Sequence, residues 1–359
     1  LVLVLTPTRE LAMQIDLAFG SFGKYLDFKH TSVFGGVSVD DQITKLDAGI
    51  HILTATPGRL IDLISKNKVN LSNITYFVID EAHMMLDMGF IDNVKEINER
   101  LPITKQSLCF SATISADVIK FAKKLLNKPT LVTLERRSRG NPLTQKVFYL
   151  YTENKNRLLI ELIKNTGKTI VFLRTKYKTD KIEELLIKNN FSAVSIHSDK
   201  KQDERTKSID NFKSGKARIL VATDIAARGI HIDDITHVIN YDIPNSPSVY
   251  VHRIGRTARA GKIGEAYSFC SMNERELQRD IEKHTGQTMT VMKHKYYARK
   301  IEKATLEEIK LATKKSKINK HKKVARRSKI KSEEYVPPIN SKKKRAISLA
   351  KMRGNYKRV

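Results

Sequence analysis

Eight short runs of four or five mostly apolar, often β-branched residues alternate along this chain with longer stretches whose apolar residues recur every three or four positions. The short runs are Leu1–Leu5, Tyr76–Ile79, Ser107–Phe110, Thr169–Leu173, Ala193–Ile196, Arg218–Ala222, His237–Asn240 and Ala266–Phe269. The longer stretches include Glu10–Phe22, Arg59–Ser65, Ala116–Leu126, Lys155–Lys164 and Lys178–Lys188. A strand that is apolar throughout has to be covered on both faces, and a parallel neighbour is reached only through a crossover, most simply a helix. The alternation therefore points to an α/β fold built on parallel sheets with helices on both sides.

The pattern pauses once, at the polar stretch Glu135–Asn141 followed by Pro142. A chain of 359 residues suits two domains, and this pause is the place to divide them. The expected layout is a first domain over residues 1–133, a linker over 134–144, a second domain over 145–288 and a tail over 289–359. The tail has few large apolar residues to bury. A helix is expected over Ala304–Ala312, and disorder in the remainder of the isolated tail.

Charge narrows the partners. Lys and Arg number 66 against 38 Asp and Glu, a net of +28, and +19 of that falls in residues 291–359. Such a surplus calls for a polyanion, most simply nucleic acid. The tail should tether RNA through nonspecific phosphate contacts, with Tyr296, Tyr297, Tyr335 and Tyr356 available to stack on bases. Cys109 and Cys270 lie in strand-like runs with no His or second Cys beside them, which excludes a metal or redox motif built on them. No apolar run reaches the roughly 18 residues of a membrane span, and the apolar start has no basic lead-in of the kind a signal peptide carries. A cytoplasmic location is the expectation.

In open parallel sheets, ligands sit at the carboxyl ends of the strands. Thr6 to Glu10 follows the run ending at Leu5, Asp80-Glu81-Ala82-His83 follows Ile79, Ser111-Ala112-Thr113 follows Phe110, and Thr223-Asp224 follows Ala222. Adjacent carboxylates at a strand end suit a Mg-nucleotide site, one holding the hydrated ion and the other orienting water, although an acidic pair also caps helices. His252, Arg253, Arg256 and Arg259 crowd into eight residues around Gly255 and Thr257, an arrangement that can set guanidinium forks on phosphate oxygens.

Taken in order, Pro7 to Ala12, Gly35-Gly36, Thr56 to Leu60, Asp80 to His83 with Met88-Gly89-Phe90, Ser111 to Thr113, Thr223 to Ile230 and His252 to Gly261 resemble the motifs of the DEAD-box ATP-dependent RNA helicases over about residues 1–288. The resemblance implies two tandem RecA-like domains, the first incomplete, that close over ATP and Mg²⁺ and clamp RNA. It implies that Asp80 helps hold Mg²⁺ and Glu81 activates the attacking water, and that Arg256 and Arg259 reach the γ-phosphate across the cleft. It gives Ser111, Thr113, Asp224, Gly229 and His83 the task of coupling the nucleotide to closure. RNA phosphates are expected on Thr8, Arg9, Gly36, Thr56 and Arg59 of the first domain and on Arg174, Thr175, Gln202, Arg205 and Thr223 of the second. These groups read a backbone and carry little base information. Ribosomal precursors or the RNA-decay machinery are the expected setting, and the short, loop-poor body suggests a bacterial type.

The chain departs from that family in five places. Neither the adenine-binding Q motif nor the phosphate loop G-x-x-x-x-G-K-T precedes Pro7, so the chain reads as N-terminally truncated and is expected to bind ATP very weakly and not to unwind RNA alone. Thr166 to Thr169 cannot substitute, because Leu162 stands where the loop needs Gly and a strand follows rather than precedes it. His83 stands where the family has Asp, His231 where it has Asp, Ser198 and Ala258 where it commonly has Gly. The missing loop leaves open an ATP-independent RNA-binding or annealing protein, and the D-E-A-H spelling leaves open a DNA helicase.

Overall fold

The computed structural model describes residues 1–133, 143–227, 229–230, 232, 234–259, 262–305, 307–311 and 314. In the first domain β1 (Val2–Leu5), α1 (Arg9–Phe22), β2 (His30–Val33), α2 (Val39–Asp47), β3 (Ile52–Ala55), α3 (Pro57–Ser65), β4 (Tyr76–Ile79), α4 (Ala82–Asp87), α5 (Ile91–Glu99), β5 (Gln106–Cys109) and α6 (Ala116–Leu125) follow one another. Five parallel strands form its sheet in the order β2-β3-β1-β4-β5. Leu3 and Leu5, Leu53 and Ala55, and Phe77 and Ile79 are buried in one core with Leu60 and Leu63 of α3, Val94 and Ile97 of α5 and Phe121 of α6.

The second domain comprises β6 (Leu143–Tyr149), α7 (Lys155–Ile163), β7 (Thr169–Leu173), α8 (Lys176–Lys188), β8 (Ala193–Ile196), α9 (Gln202–Lys213), β9 (Ile219–Thr223), α10 (Asp224–Ala227), β10 (His237–Asn240), α11 (Pro247–Ile254), β11 (Gly264–Cys270), α12 (Arg275–Thr285), β12 (Thr290–Val291) and α13 (Arg299–Glu302). Its seven strands are also parallel, in the order β12-β6-β11-β10-β7-β9-β8. Successive residues of β7 feed opposite cores. Val171 and Leu173 pack with α7 and α8, whereas Ile170 and Phe172 pack with Ile209 and Phe212 of α9. That two-sided burial is why the strand reads as an unbroken apolar run.

Ordered packing runs past residue 288: Met289, Ala298, Ile301, Ala304 and Ile309 are buried, and Arg275 donates to the carbonyls of Ile301 and Glu302 at 3.1 and 3.0 Å. Residues 307–311 are helical, inside the stretch expected to form a helix. Residues 134–142 of the linker, His231 and tail residues 315–359, with Tyr335 and Tyr356, lie outside the described residues. Among those described, no helix is long and apolar enough to cross a membrane.

Candidate nucleotide and RNA sites

The two domains meet along a seam, and many of the residues singled out by sequence gather at two places on it, here called its ends. At one end β4 delivers Asp80 and Glu81. Glu81 caps α4 in the left-handed region, at φ 53°, an unusual state for a side-chain-bearing residue that costs about 1–2 kcal/mol. It is held there by its N–H, which donates to Asp80 Oδ1 at 2.9 Å, and by the N–H of Ala82, which donates to the Phe110 carbonyl at 2.9 Å. Burial, then the charge of Glu81, pushes the Asp80 carboxyl above its ordinary range. Burial also raises Glu81, against the pull of Arg256 and Arg259 from the other domain.

Two crowded carboxyls with raised pKa values are a poor isolated pair and a good partner for a cation. Among the described residues there is no cluster of three or more metal-ligating side chains. The donor set therefore fits Mg²⁺, which takes one or two carboxylates and completes its shell with water and phosphate oxygens, and it does not fit a cage-bound metal. Asp80 would hold such an ion. When bound, it would neutralise phosphate charge.

His83 ties this end together. Its Nδ1 lies 3.0 Å from Ser111 Oγ and 3.4 Å from Glu81 Oε2, and Ser111 Oγ donates to the Thr113 carbonyl at 2.7 Å. Across the seam the His83 ring faces that of His252, centroids 4.7 Å apart. Arg256 donates to the Ile230 carbonyl at 2.8 Å and Arg259 to the Gly255 carbonyl at 2.7 Å. Ala258 between them sits at φ 56°. Asp224 takes a two-pronged ion pair from Arg253, at 2.5 and 2.9 Å, so it is part of the second domain's interior bracing.

The other end holds the residues expected on RNA. Thr8 caps α1, its side chain accepting from the Leu11 N–H at 3.3 Å. Gly36, at φ 85°, lets Arg9 pass where a Cβ would overlap its guanidinium. Arg59 donates to the Val37 carbonyl at 3.2 Å from the helix that follows Thr56. From α9 come Arg205, in a buried ion pair with Glu10 at 2.5 Å, and Gln202, which bridges Arg9 and Glu10 at 3.5 Å each. Gly229, at φ 72°, presses against Thr8 and Leu11, leaving no room for a Cβ. Burial lowers the pKa of Arg9, and Arg205 and Arg59 are close enough to lower it further, with Glu10 opposing them. Buried Arg59 Nη1 and Arg205 Nε find no acceptor among the described residues. A knot of guanidiniums with too little negative charge is a place for phosphate.

Arg174, Thr175 and Thr223 sit apart from that knot, at the carboxyl ends of neighbouring β7 and β9, where Leu173 registers with Thr223. Arg253, one of the four residues expected to crowd on phosphate, instead braces Asp224, and His252 meets His83. Glu10 has no expected role in the sequence, because its partner Arg205 lies on a distant segment.

The DEAD/DEAH box helicase family model matches residues 1–121, and that of the helicase conserved C-terminal domain matches residues 154–261. The chain is similar to the ATP-dependent RNA helicase dbp2 of Emericella nidulans, 42% identical over 288 residues, 78% of this chain and 51% of that protein. The Candida albicans protein DBP2 gives 41% over the same shares. The chain thus spans about half the length of these curated relatives. Both are fungal and do not support the bacterial type expected from the short loops. Among solved structures it resembles S. cerevisiae Dbp5 bound to RNA and ADP BeF3, with 30% identity, a TM-score of 0.70, and coverage of 81% of this chain and 77% of that one. It also resembles the DEAD-box helicase Mss116 bound to ssRNA and UDP-BeF, with 29% identity, a TM-score of 0.73, and coverage of 86% and 67%.

Proposed function

This chain belongs to the DEAD/DEAH box helicase family, and from that premise we propose that its two domains form the body of an ATP-dependent RNA helicase. Closure of the seam brings Arg256 and Arg259 toward Glu81 at one end and assembles the Arg9–Arg59–Arg205 knot at the other. ATP with Mg²⁺ on Asp80 would favour closure. Glu81 would take the proton of the attacking water, the two arginines would offset charge growing on the γ-phosphate, and hydrolysis would let the domains part. A strand held by the arginine knot and by Thr8, Gly36 and Thr56 is held by its backbone, which suits the remodelling of many short RNA duplexes, ribosomal precursors or decay intermediates among them.

The observation that carries this reading is the coincidence of the two ends. One closure contact, Glu10 with Arg205, serves the RNA knot while Arg256 and Arg259 of the second domain lie near enough to Glu81 to oppose the rise of its pKa. No G-x-x-x-x-G-K-T is among the 359 residues, so the test has two arms. In the first, residues 1–359 bind single-stranded RNA more tightly than DNA of the same sequence, and show no RNA-stimulated ATP hydrolysis. In the second, the chain extended with a relative's phosphate-loop segment hydrolyses ATP when RNA is added and separates a short RNA duplex, and Glu81→Gln abolishes both. Equal affinity for DNA, or strand annealing indifferent to ATP in the extended chain, would overturn the proposal.

A further inference from the structure

Beneath Arg174 lies a charged cluster that the seam does not use. Glu274 and Asp242 are 1% and 2% exposed, at the carboxyl ends of β11 and β10, and Lys155, 2% exposed, opens α7 under them. Lys155 Nζ donates to Glu274 Oε2 and to the Tyr241 carbonyl, both at 2.7 Å, and lies 3.7 Å from Asp242 Oδ1. Two more cations reach the same carboxylates from outside. Arg174 Nη2 donates to Glu274 Oε1 at 3.3 Å, and Lys178 Nζ donates to Asp242 Oδ1 at 3.3 Å.

Three cations therefore share two carboxylates. Buried charges are tolerated when fully paired, and Lys155 is. The surplus positive charge is displaced to the rim, where the side chains of Arg174 and Lys178 are 29% and 46% exposed. Arg174 is fixed from three sides: its backbone N–H donates to Asp242 Oδ2 at 3.2 Å, Nη2 is on Glu274, and Nη1 is on Asn245 Oδ1 at 3.3 Å. A long side chain that is already ordered loses less entropy when it meets an anion. The pair stands one residue and one helical turn beyond β7, on the ligand edge of the sheet.

We propose that Lys178 is a second phosphate contact beside Arg174, and that buried Asp242 and Glu274 are positioning residues that hold both cations for the RNA backbone. This rests on the reading of Arg174 as an RNA contact. The test measures binding of a fluorescein-labelled ten-nucleotide oligo(U) RNA to the full chain across a salt series, with the basic tail common to every variant. Lys178→Ala, at a half-exposed site, is expected to weaken binding about five-fold at 0.1 M salt and to flatten the slope of log K against log salt by about 0.7. Arg174→Ala should do at least as much. Glu274→Gln should weaken binding in the native background and add nothing in Arg174→Ala. If Glu274→Gln does not fold, Arg174→Lys decides the same point: a lysine cannot bridge Asn245 and Glu274 together, so a positioned guanidinium predicts a loss close to that of alanine. Unchanged binding in Arg174→Ala would overturn the underlying reading together with the inference. A loss in Arg174→Ala with an unchanged slope in Lys178→Ala, equal effects of Glu274→Gln in both backgrounds, or native affinity in Arg174→Lys would overturn the inference alone.

Discussion

The two ends of the seam close by different physics. At the RNA end the domains meet through a buried ion pair, Glu10 with Arg205, a bridging Gln202 and a glycine pressed on Thr8. At the nucleotide end they meet through two imidazole rings 4.7 Å apart and the attraction of Arg256 and Arg259 for Glu81. The first domain brings carboxyls with raised pKa values to that end and the second brings arginines. One end is complementary as protein alone. In the proposed reading the other would gain its complementarity from a cation on the carboxyls and a polyphosphate on the arginines. A ligand that acts on closure does so only through the difference in its affinity for the two arrangements.

The contrast is most easily broken at Gly229. Alanine there meets Thr8 on closing and carries a left-handed backbone. The strain costs about 1–2 kcal/mol and the overlap more, so the closed fraction should fall over a hundred-fold, at roughly 1.4 kcal/mol per tenfold. Förster transfer between dyes on the two domains reads it, with each domain's melting transition kept. An undiminished closed fraction would mean that the seam does not close on this glycine.

Glu10→Gln sharpens the point. Removing one partner of a buried pair costs about 3–5 kcal/mol, because Arg205 then faces Arg9 without its counter-ion. Added single-stranded RNA should restore closure in part, since phosphate supplies the lost negative charge, and it should not restore Gly229→Ala. Equal rescue of both, or of neither, would show that the arginine knot does not bind phosphate.

How much of this was legible in the sequence follows from how local each feature is. The two parallel sheets and the placement of motifs at strand ends were readable, because apolar runs and their flanks are local. β2, β3, β6 and β12 are not among the runs that the sequence marks: β2 lies at a sheet edge and alternates His30 and Ser32 with buried residues, β6 carries Gln145 and Lys146, and β12 is two residues long. The ordered segment past Thr290 hid behind its lysines, since few apolar residues, Ile301 and Ile309 among them, are enough to dock it. Pairings were the least legible. Gln202 lies 192 residues from Glu10, and Glu274 lies 119 from Lys155. Residue types told that anions or cations belonged at strand ends, while the fold chose which partner each would meet.

At the nucleotide end the comparison can be sharpened by pH. Both carboxyls titrate above their ordinary values, mainly through burial. Between the ordinary and the raised values the folded protein holds more protons than the unfolded chain, so the contribution of these groups to stability increases as pH falls through that window. In the proposed mechanism Glu81 takes the water's proton and so must be ionised. In the phosphate-loop-extended chain its acid limb should therefore lie above the ordinary carboxylate range and move to lower pH as Mg²⁺ is raised, because the cation stabilises the charged forms. A limb unmoved by Mg²⁺ would detach Asp80 from the metal.

The smallest effect is expected at Ala258. Its left-handed backbone costs about 1 kcal/mol, and glycine, which visits that region freely, gives part of this back as greater freedom in the unfolded chain. Ala258→Gly should raise the melting temperature of the second domain by about 1–2 °C, the size expected for a few tenths of a kcal/mol. It should leave the closed fraction unchanged, since neither Arg256 nor Arg259 draws its carbonyl partner from residue 258. A fall in closure with a rise in stability would mean that the stiffness of this one residue aims the arginines, and that the nucleotide end is pre-set by the protein as firmly as the RNA end.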